Sequence, residues 1–417
     1  MHSAKLSAHS AVNPIPFAYL APMKKSVAII GGGPAGMMLA ACLDSSLYDV
    51  TIYEKNKSFG RKFLVAGKGG FNVTHGENIG DFLQRYTPNN FLETALRNFN
   101  NEDLRTWLKS IGIPTFIGSS HRIYPEKGIK PIEVLNQILD VLTTKGIHFQ
   151  LDQEWKGWDQ NNQLIFQSGD KVNSDIVAFA LGGGSWKVTG SDGSWLTTFQ
   201  EKGIETKDFV PANCAYQIDW SKEFLKKNAG QPLKNIALTC ADKTQKGELV
   251  ITDFGLEGNA IYALSPQIQN ELDTNGKAQI YLDLKPPLTV DRIKEKLEKS
   301  KMNTTDSLDK ELKLSRPQID LIKTNVTKEE FINPSLLAAA IKALPLIVLA
   351  AAELDEAIST TGGIALDQID ENNQLNKLSN HYCLGEMLDW NAPTGGYLLQ
   401  ACFSMGAHLA KHLNGKK

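Results

Sequence analysis

A short glycine-rich stretch near the start of the chain restricts the fold more than any other feature. Residues 26–36 read Ser-Val-Ala-Ile-Ile-Gly-Gly-Gly-Pro-Ala-Gly, so an apolar run leads directly into three glycines. The run is rich in β-branched residues and too short for a helix, which predicts a buried parallel strand. Helix formers follow from Pro34, and a second apolar run at residues 50–53 predicts a strand that ends at Glu54. The order of strand, helix and strand predicts a βαβ unit in an α/β fold.

The spacing of the glycines in this unit matches the fingerprint of dinucleotide binding. Gly31 allows a tight turn, Gly33 lets the backbone approach a pyrophosphate, and Gly36 lets the helix pack closely on the strand. Glu54 can accept hydrogen bonds from ribose hydroxyl groups, and its charge disfavours a 2′-phosphate. A glycine turn without a ligand is the alternative, and the complete unit disfavours it.

Length and composition indicate a soluble protein with more than one domain. At 417 residues the chain exceeds what one hydrophobic core covers, so two or three domains are expected. The formal charge is −2, so no basic surplus indicates nucleic acid or a membrane surface as partner, and a small-molecule substrate is expected. The oligomeric state cannot be predicted from this composition. Five scattered cysteines without a CxxC pair favour a reducing, cytoplasmic location, and no metal site is predicted.

The N-terminal region before the first strand has no pattern of a folded element. We expect residues 1–23 to be a disordered extension without the apolar core of a secretory signal, and Met23 is a candidate start of translation.

Two polar loops follow the βαβ unit and carry candidate ligand contacts. In residues 55–75 the glycines include Gly67, while Arg61, Lys62 and Lys68 offer positive charge to a phosphate group. A flexible surface turn is the alternative for this loop. The apolar spacing of residues 91–108 predicts helical structure. Residues 120–128 then form a loop in which His121, Arg122, Tyr124 and Lys127 either face a substrate or fix the loop.

The second half of the chain changes character and then returns to glycine-rich segments. Alternating apolar runs between residues 210 and 281 predict antiparallel strands, and residues 288–332 predict amphipathic helices, so an inserted domain is expected. Residues 382–406 predict a strand, an acidic loop, the pair Gly395 and Gly396, and a helix. A helix N-terminus can stabilise negative charge on a reduced ring such as flavin, and Glu386 or Asp389 can accept hydrogen bonds from sugar-alcohol hydroxyls. One dinucleotide with an adenosine end and a flavin end explains why such distant segments are needed together.

Five motifs, in order along the chain, resemble the HI0933-like family of FAD-dependent flavoproteins, often described as NAD(P)/FAD-dependent oxidoreductases. The motifs are Ile29–Gly36, Gly60–Thr74, Leu181–Ser185 with Thr189–Gly193, Thr252–Ile261, and Gly385–Asp389 with Thr394–Gln400. Many members read Gly-Gly-Gly-Arg-Cys-Asn where this chain reads Gly-Lys-Gly-Gly-Phe-Asn at residues 67–72, so the Arg and the Cys are absent and Lys68 is the candidate to replace the lost charge. The Gly-Leu-Ser-Gly-Pro pattern of the family is Gly-Leu-Glu-Gly-Asn at residues 255–259 of this chain. Both departures resemble a subgroup of the family.

The resemblance implies a Rossmann-like FAD-binding domain of the two-dinucleotide-binding-domain type, split by an inserted domain that is part β-barrel-like and part helical. The expected bounds are 24–190 and 358–417 for the FAD domain and 191–357 for the insert, β-barrel-like over about 191–287 and helical over about 288–345. The residues that motif matching assigns to FAD are Gly31, Gly33, Pro34, Ala35, Gly36, Glu54, Lys55, Arg61, Lys62, Gly67, Asn72, Thr74, Gly182, Gly385, Glu386, Asp389, Gly395 and Gly396.

The expected activity is that of an oxidoreductase in which bound FAD exchanges a hydride with an organic substrate or with NAD(P)H. His121, Tyr124 and Lys68 are the candidate catalytic residues, each with a structural role as the alternative. Two other functions stay open at this point: a flavin-dependent enzyme that modifies RNA, and a flavin-binding sensor without turnover.

Overall fold

The computed structural model describes residues 23–65 and 71–416. The extension expected at residues 1–23 therefore lies almost wholly outside the described residues. The strands, β1 to β19 in chain order, are Lys25–Ile30, Tyr48–Tyr53, Thr74–His75, Thr115–Ile117, Arg122–Pro125, His148–Gln150, Trp155–Trp158, Leu164–Phe166, Lys171–Val172, Ile176–Phe179, Thr206–Ala212, Tyr216–Gln217, Pro232–Cys240, Lys243–Ile251, Gly255–Glu257, Ala278–Asp283, Leu344–Val348, Ser359–Ile364 and His381–Cys383. The helices, α1 to α16, are Pro34–Cys42, Arg61–Val65, Ile79–Leu83, Glu93–Asn98, Asn101–Ser110, Pro131–Thr144, Leu196–Glu201, Lys222–Asn228, Asn259–Tyr262, Ser265–Asn275, Val290–Lys299, Thr304–Lys310, Arg316–Asn325, Lys328–Ile332, Pro334–Lys342 and Tyr397–Gly415.

A five-stranded parallel sheet in the order β19-β10-β1-β2-β6 forms the centre of the first core. The apolar residues of β1 are buried on both faces, as expected for a parallel strand covered by helices. The carboxyl ends of β1, β2, β10 and β19 lie along one edge of the sheet, and each strand runs there into a glycine or an acidic residue. In open α/β sheets this edge is where ligands bind. The α/β Rossmann-like fold expected from the sequence is confirmed.

Helices α1 and α16 pack against each other on this sheet at backbone distance. A side chain at Gly406 would lie 2.5 Å from the carbonyl oxygen of Ala35, so only glycine permits this approach. Every residue of α1 from Ala35 to Ala41 is buried, and α16 buries most of its length. The N-termini of both helices are therefore held in fixed positions beside the strand ends.

An antiparallel sheet forms a second core that the chain builds between β11 and β18. Its six strands follow the order β12-β15-β14-β13-β16-β17. The sheet curls until its two edges meet: the amide of Leu349 donates to the carbonyl oxygen of Gln217 at 3.0 Å, and the amide of Gln217 donates to that of Ala350 at 2.8 Å. Helices α13 and α15 pack on this sheet, and α11, α12 and α14 pack on those two helices. Helices α11 to α14 lie where the amphipathic pattern of residues 288–332 predicts helices. The β-barrel-like and helical parts expected for the insert are both present.

The expected domain bounds stay a prediction, and packing favours a later start of the insert. Trp195, Phe199 and Ile204 pack in the first core, whereas the second core begins at Cys214 and extends to Ala357. Among the described residues, none of the helices has the length and apolarity required to cross a membrane.

Candidate functional site

A long cleft runs along the carboxyl edge of the parallel sheet. It encloses about 1230 Å³ of space, its solvent-open mouth included, between the loops that follow β1, β2, β10 and β19. Eleven of the residues predicted to bind FAD line it: Gly31, Gly33, Pro34, Ala35, Glu54, Lys55, Arg61, Lys62, Gly182, Gly385 and Glu386. The tertiary structure thus brings residues from four separated segments into one elongated space.

The three positions of the fingerprint are occupied by glycine for different structural reasons. A side chain at Gly31 would lie 2.3 Å from the carbonyl oxygen of Ala180, and one at Gly36 would lie 2.3 Å from that of Gly31. A side chain at Gly33 would meet no protein atom within 4 Å. Gly31 has a φ of 112°, whereas Gly33, the N-cap of α1, has a φ of −85° that any residue adopts. The protein itself therefore needs Gly31 and Gly36, and the space over Gly33 fits a group that approaches the amides of α1, such as a diphosphate.

Glu54 is a buried carboxylate that is already oriented in the cleft. Its side chain is 9% exposed. One oxygen, Oε2, accepts a hydrogen bond from the amide of Gly32 at 2.9 Å, and the other accepts from the amide and the side-chain nitrogen of Asn56 at 2.9 and 2.7 Å. Because each carboxylate oxygen can accept more than one hydrogen bond, Glu54 retains capacity for ribose hydroxyls.

The two cleft lysines that the sequence assigns to FAD, Lys55 and Lys62, have carboxylate partners. Lys62 Nζ donates to Glu386 Oε2 at 2.9 Å and to Ser185 Oγ at 2.9 Å, and Lys55 Nζ donates to Asp192 Oδ2 at 2.9 Å. Burial would raise the pKa of Asp192, but the hydrogen bonds from Lys55 and from Ser194 outweigh it and the pKa is lowered. Both lysines therefore tie opposite walls of the cleft together.

A second group of predicted residues surrounds the N-terminus of α16. Gly396 has a φ of 100°, and a side chain there would lie 2.5 Å from the backbone of Thr74. Gly395 lies beside the guanidinium of Arg122. Thr74 is fully buried, and among the described residues its hydroxyl oxygen has no hydrogen-bond partner. A buried hydroxyl without a partner costs roughly 1–3 kcal/mol, so this atom fits a bound ligand that supplies the hydrogen bond.

The remaining predicted residues lie elsewhere. Asp389 accepts a hydrogen bond from the amide of Gly362 at 3.0 Å and forms an ion pair with Lys207 at 2.6 Å, outside the cleft. Asn72 is half-buried in the segment before Thr74. Gly67 and Lys68 lie outside the described residues. The roles assigned to all of these residues stay predictions.

The candidate catalytic residues His121 and Tyr124 lie on the hairpin of β4 and β5. Neither residue lines the cleft. His121 is exposed in a turn with a φ of 58°, and the ring of Tyr124 stacks on Phe116 with a centroid distance of 5.7 Å. These positions give both residues a structural role in the hairpin. Catalysis by either residue stays a prediction.

Sequence reasoning missed a partly buried cluster beside the N-terminus of α16. Glu77 Oε1 accepts hydrogen bonds from Tyr397 Oη at 2.7 Å and from Arg85 Nε at 3.0 Å, and Glu77 Oε2 accepts from Arg85 Nη2 at 2.8 Å. The ring of His75 stacks on Tyr397 with a centroid distance of 5.1 Å. No local sequence signal links Glu77 to Tyr397, because 320 positions separate them. The cluster joins β3 to the first turn of α16.

The charge of Glu77 is expected to make stability depend on pH. Burial raises its pKa, but hydrogen bonds from Arg85 and Tyr397 outweigh burial, so the pKa of Glu77 in the folded protein is lowered. A lowered pKa contributes stability that is present above the unfolded-state value of about 4.3 and is lost as the pH falls through the folded-state value. We expect Glu77→Gln to lower the free energy of unfolding at pH 7 by about 1–2 kcal/mol.

Urea unfolding of wild type and Glu77→Gln at a series of pH values checks this expectation. The difference between the two proteins should shrink below about pH 4, where the wild-type carboxylate becomes protonated. A difference that stays constant down to pH 3 would show that the charge of Glu77 does not stabilise the fold.

Two solved structures have folds similar to this chain. The flavocytochrome c3 fumarate reductase has a TM-score of 0.47 at 14% identity, with 96% of this chain and 84% of that chain covered. The 3-ketosteroid-delta4-(5alpha)-dehydrogenase of Rhodococcus jostii RHA1 has a TM-score of 0.44 at 13% identity, with 96% and 99% covered.

Two curated relatives align over nearly their whole length. The 3-dehydro-bile acid delta(4,6)-reductase of Clostridium scindens is 25% identical over 403 residues, which are 91% of this chain and 97% of the relative. The ribosomal RNA dihydrouridine synthase of Haemophilus influenzae is 23% identical over 398 residues, 90% and 95% respectively. The model of the HI0933-like protein Rossmann domain matches residues 25–412. The chain therefore belongs to the HI0933-like family of FAD-dependent oxidoreductases.

Proposed function

We propose that this protein is a reductase that uses FAD, reduced by NAD(P)H, to saturate a carbonyl-conjugated carbon–carbon double bond in a small molecule. The observation that supports it most is the cleft itself, which leads from the open N-terminus of α1 towards Glu386 and the loop after β19. The substrate class follows from the names of the curated relatives. The name of the first relative implies a 3-oxo-delta(4,6) ring system, and the name of the second implies a uracil ring. Both rings contain a carbon–carbon double bond conjugated to a carbonyl group.

FAD, when bound, supplies a ring system that accepts and delivers a hydride. The chain's own residues bind and orient it in this proposal. The amides at Gly33 and the first turn of α1 hold the diphosphate, and Glu54 accepts hydrogen bonds from the ribose. Thr74, whose buried hydroxyl has no partner among the described residues, and the N-terminus of α16 would hold the ring end, where the positive end of the helix dipole would stabilise negative charge.

Ribosomal RNA is the alternative substrate, because one curated relative is named for it. The formal charge of −2 disfavours this alternative, since binding to a polyanion depends on an excess of basic residues. A sensor without turnover is disfavoured by the reductase relative that aligns over 97% of its length.

Anaerobic reduction followed by reoxidation tests the proposed function. We expect the purified protein to show flavin absorbance that bleaches on addition of NADH or NADPH. The reduced protein should then be reoxidised by a 3-oxo-delta4 steroid or by cyclohexenone, with a product heavier by two hydrogen atoms. Reoxidation by ribosomal RNA instead, with a mass gain in the RNA, would favour the alternative. Colourless protein that takes up no FAD would contradict the assignment of the cleft.

A further inference from the structure

We propose that Tyr397, held by Glu77 and Arg85, is a positioning residue that fixes the first turn of α16 against β3 and thereby sets the reduction potential of the bound flavin. The inference rests on FAD as the cofactor in the proposed function, and it does not depend on the substrate. We call Glu77, Arg85 and Tyr397 the clamp.

The clamp links the two segments expected to hold the ring. On one side lies β3, where the hydroxyl of Thr74 is buried without a partner among the described residues. On the other side lie Gly395 and Gly396, whose backbone contacts Thr74 directly. Tyr397 is the first residue of α16, and Glu77 follows β3 by two residues. The 2.7 Å hydrogen bond from Tyr397 to Glu77 therefore links these two segments.

The clamp is held rigidly from several directions. Arg85 donates two hydrogen bonds to the Glu77 carboxylate, whose side chain is 12% exposed, and this bidentate geometry fixes the carboxylate plane. Tyr86 Oη donates to the carbonyl oxygen of Tyr397 at 2.8 Å, and Asn101 Nδ2 donates to the carbonyl oxygen of His75 at 2.7 Å. Charge-assisted hydrogen bonds of the Glu77 carboxylate therefore hold the N-terminus of α16 at a fixed distance from β3.

The position of this helix end matters more for reduced than for oxidised flavin. Reduction adds negative charge to the ring, and the free amides and dipole at a helix N-terminus stabilise negative charge within about the first turn. A small displacement of α16 would thus weaken the binding of reduced FAD more than that of oxidised FAD. The expected consequence is a lower reduction potential.

The test compares two tyrosines whose hydroxyl groups form hydrogen bonds at opposite ends of α16. Tyr397→Phe removes the hydrogen bond to Glu77 at the N-terminus, and the matched control Tyr48→Phe removes the 2.6 Å bond from Tyr48 Oη to the carbonyl oxygen of Leu413 near the C-terminus. The holoproteins are titrated anaerobically against redox dyes, and FAD affinity and urea unfolding are measured alongside. We expect Tyr397→Phe to weaken the binding of reduced FAD about tenfold more than the binding of oxidised FAD. This difference lowers the reduction potential by about 30 mV. Tyr48→Phe should leave the potential unchanged.

A second variant separates position from charge. Arg85→Lys keeps the charge but loses the bidentate geometry, and the side chain is 42% exposed, so this variant should fold. We expect its potential to fall in the same direction as that of Tyr397→Phe. If both variants bind FAD and have the wild-type reduction potential, the positioning role of Tyr397 is overturned and the proposed function is unaffected. Wild-type protein that binds no FAD would instead contradict the proposed function itself.

Discussion

Replacement of Gly33 by alanine is expected to leave the fold intact while weakening FAD binding at least tenfold. A methyl group at Gly33 meets no protein atom within 4 Å, and the φ of −85° is accessible to alanine. The apoprotein should therefore unfold at the wild-type urea concentration or slightly above it, since alanine restricts the unfolded chain. The methyl group occupies the space through which a diphosphate approaches the amides of α1. A loss of about 1.4 kcal/mol in binding corresponds to the expected tenfold effect.

Flavin fluorescence during titration of apoprotein with FAD measures this effect. Gly415→Ala is a matched control, because a side chain there also meets no atom within 4 Å and lies at the far end of α16. The control should bind FAD as wild type does. If Gly33→Ala also bound FAD with wild-type affinity, the diphosphate would not lie over the N-terminus of α1.

Replacement of Gly31 by alanine is expected to destabilise the fold by roughly 2–4 kcal/mol. The new methyl group would lie 2.3 Å from the carbonyl oxygen of Ala180, in a backbone conformation with a φ of 112°. Ala180 directly follows β10, whose pairing with β1 forms the centre of the parallel sheet. Relief of the contact would require the two strand ends to separate.

Urea unfolding of the apoprotein isolates this second effect from ligand binding. Gly31→Ala should shift the midpoint strongly even without FAD, whereas Gly33→Ala should not. Equal stability of the Gly31 variant and wild type would mean that the strand ends are less tightly packed than the structure shows. The pair of variants thus distinguishes a glycine that the fold needs from a glycine that the cofactor needs.

The pattern of the sequence gives the family and much of the fold because its signals are local. The run at residues 26–36 predicts a strand and a helix from neighbouring residues alone, and the structure has β1 at Lys25–Ile30 and α1 at Pro34–Cys42. Residues 91–108 are largely helical, as predicted, but they form two helices, α4 and α5. Asn100 forms a capping box with Asp103, so α4 ends and α5 begins where apolar spacing suggests continuity.

The sequence by itself determined the βαβ unit, the order of the family motifs and the residue types available to a dinucleotide. The tertiary structure decided which of those residues meet, because contacts across hundreds of positions leave no periodic signal. It distinguishes Gly33 from Gly31 by the space around each, and it directs Asp389 to Lys207 rather than to the cleft. It also joins Glu77 to Tyr397 across 320 positions, since only the packing of α16 on β3 brings that carboxylate and that hydroxyl within hydrogen-bond distance.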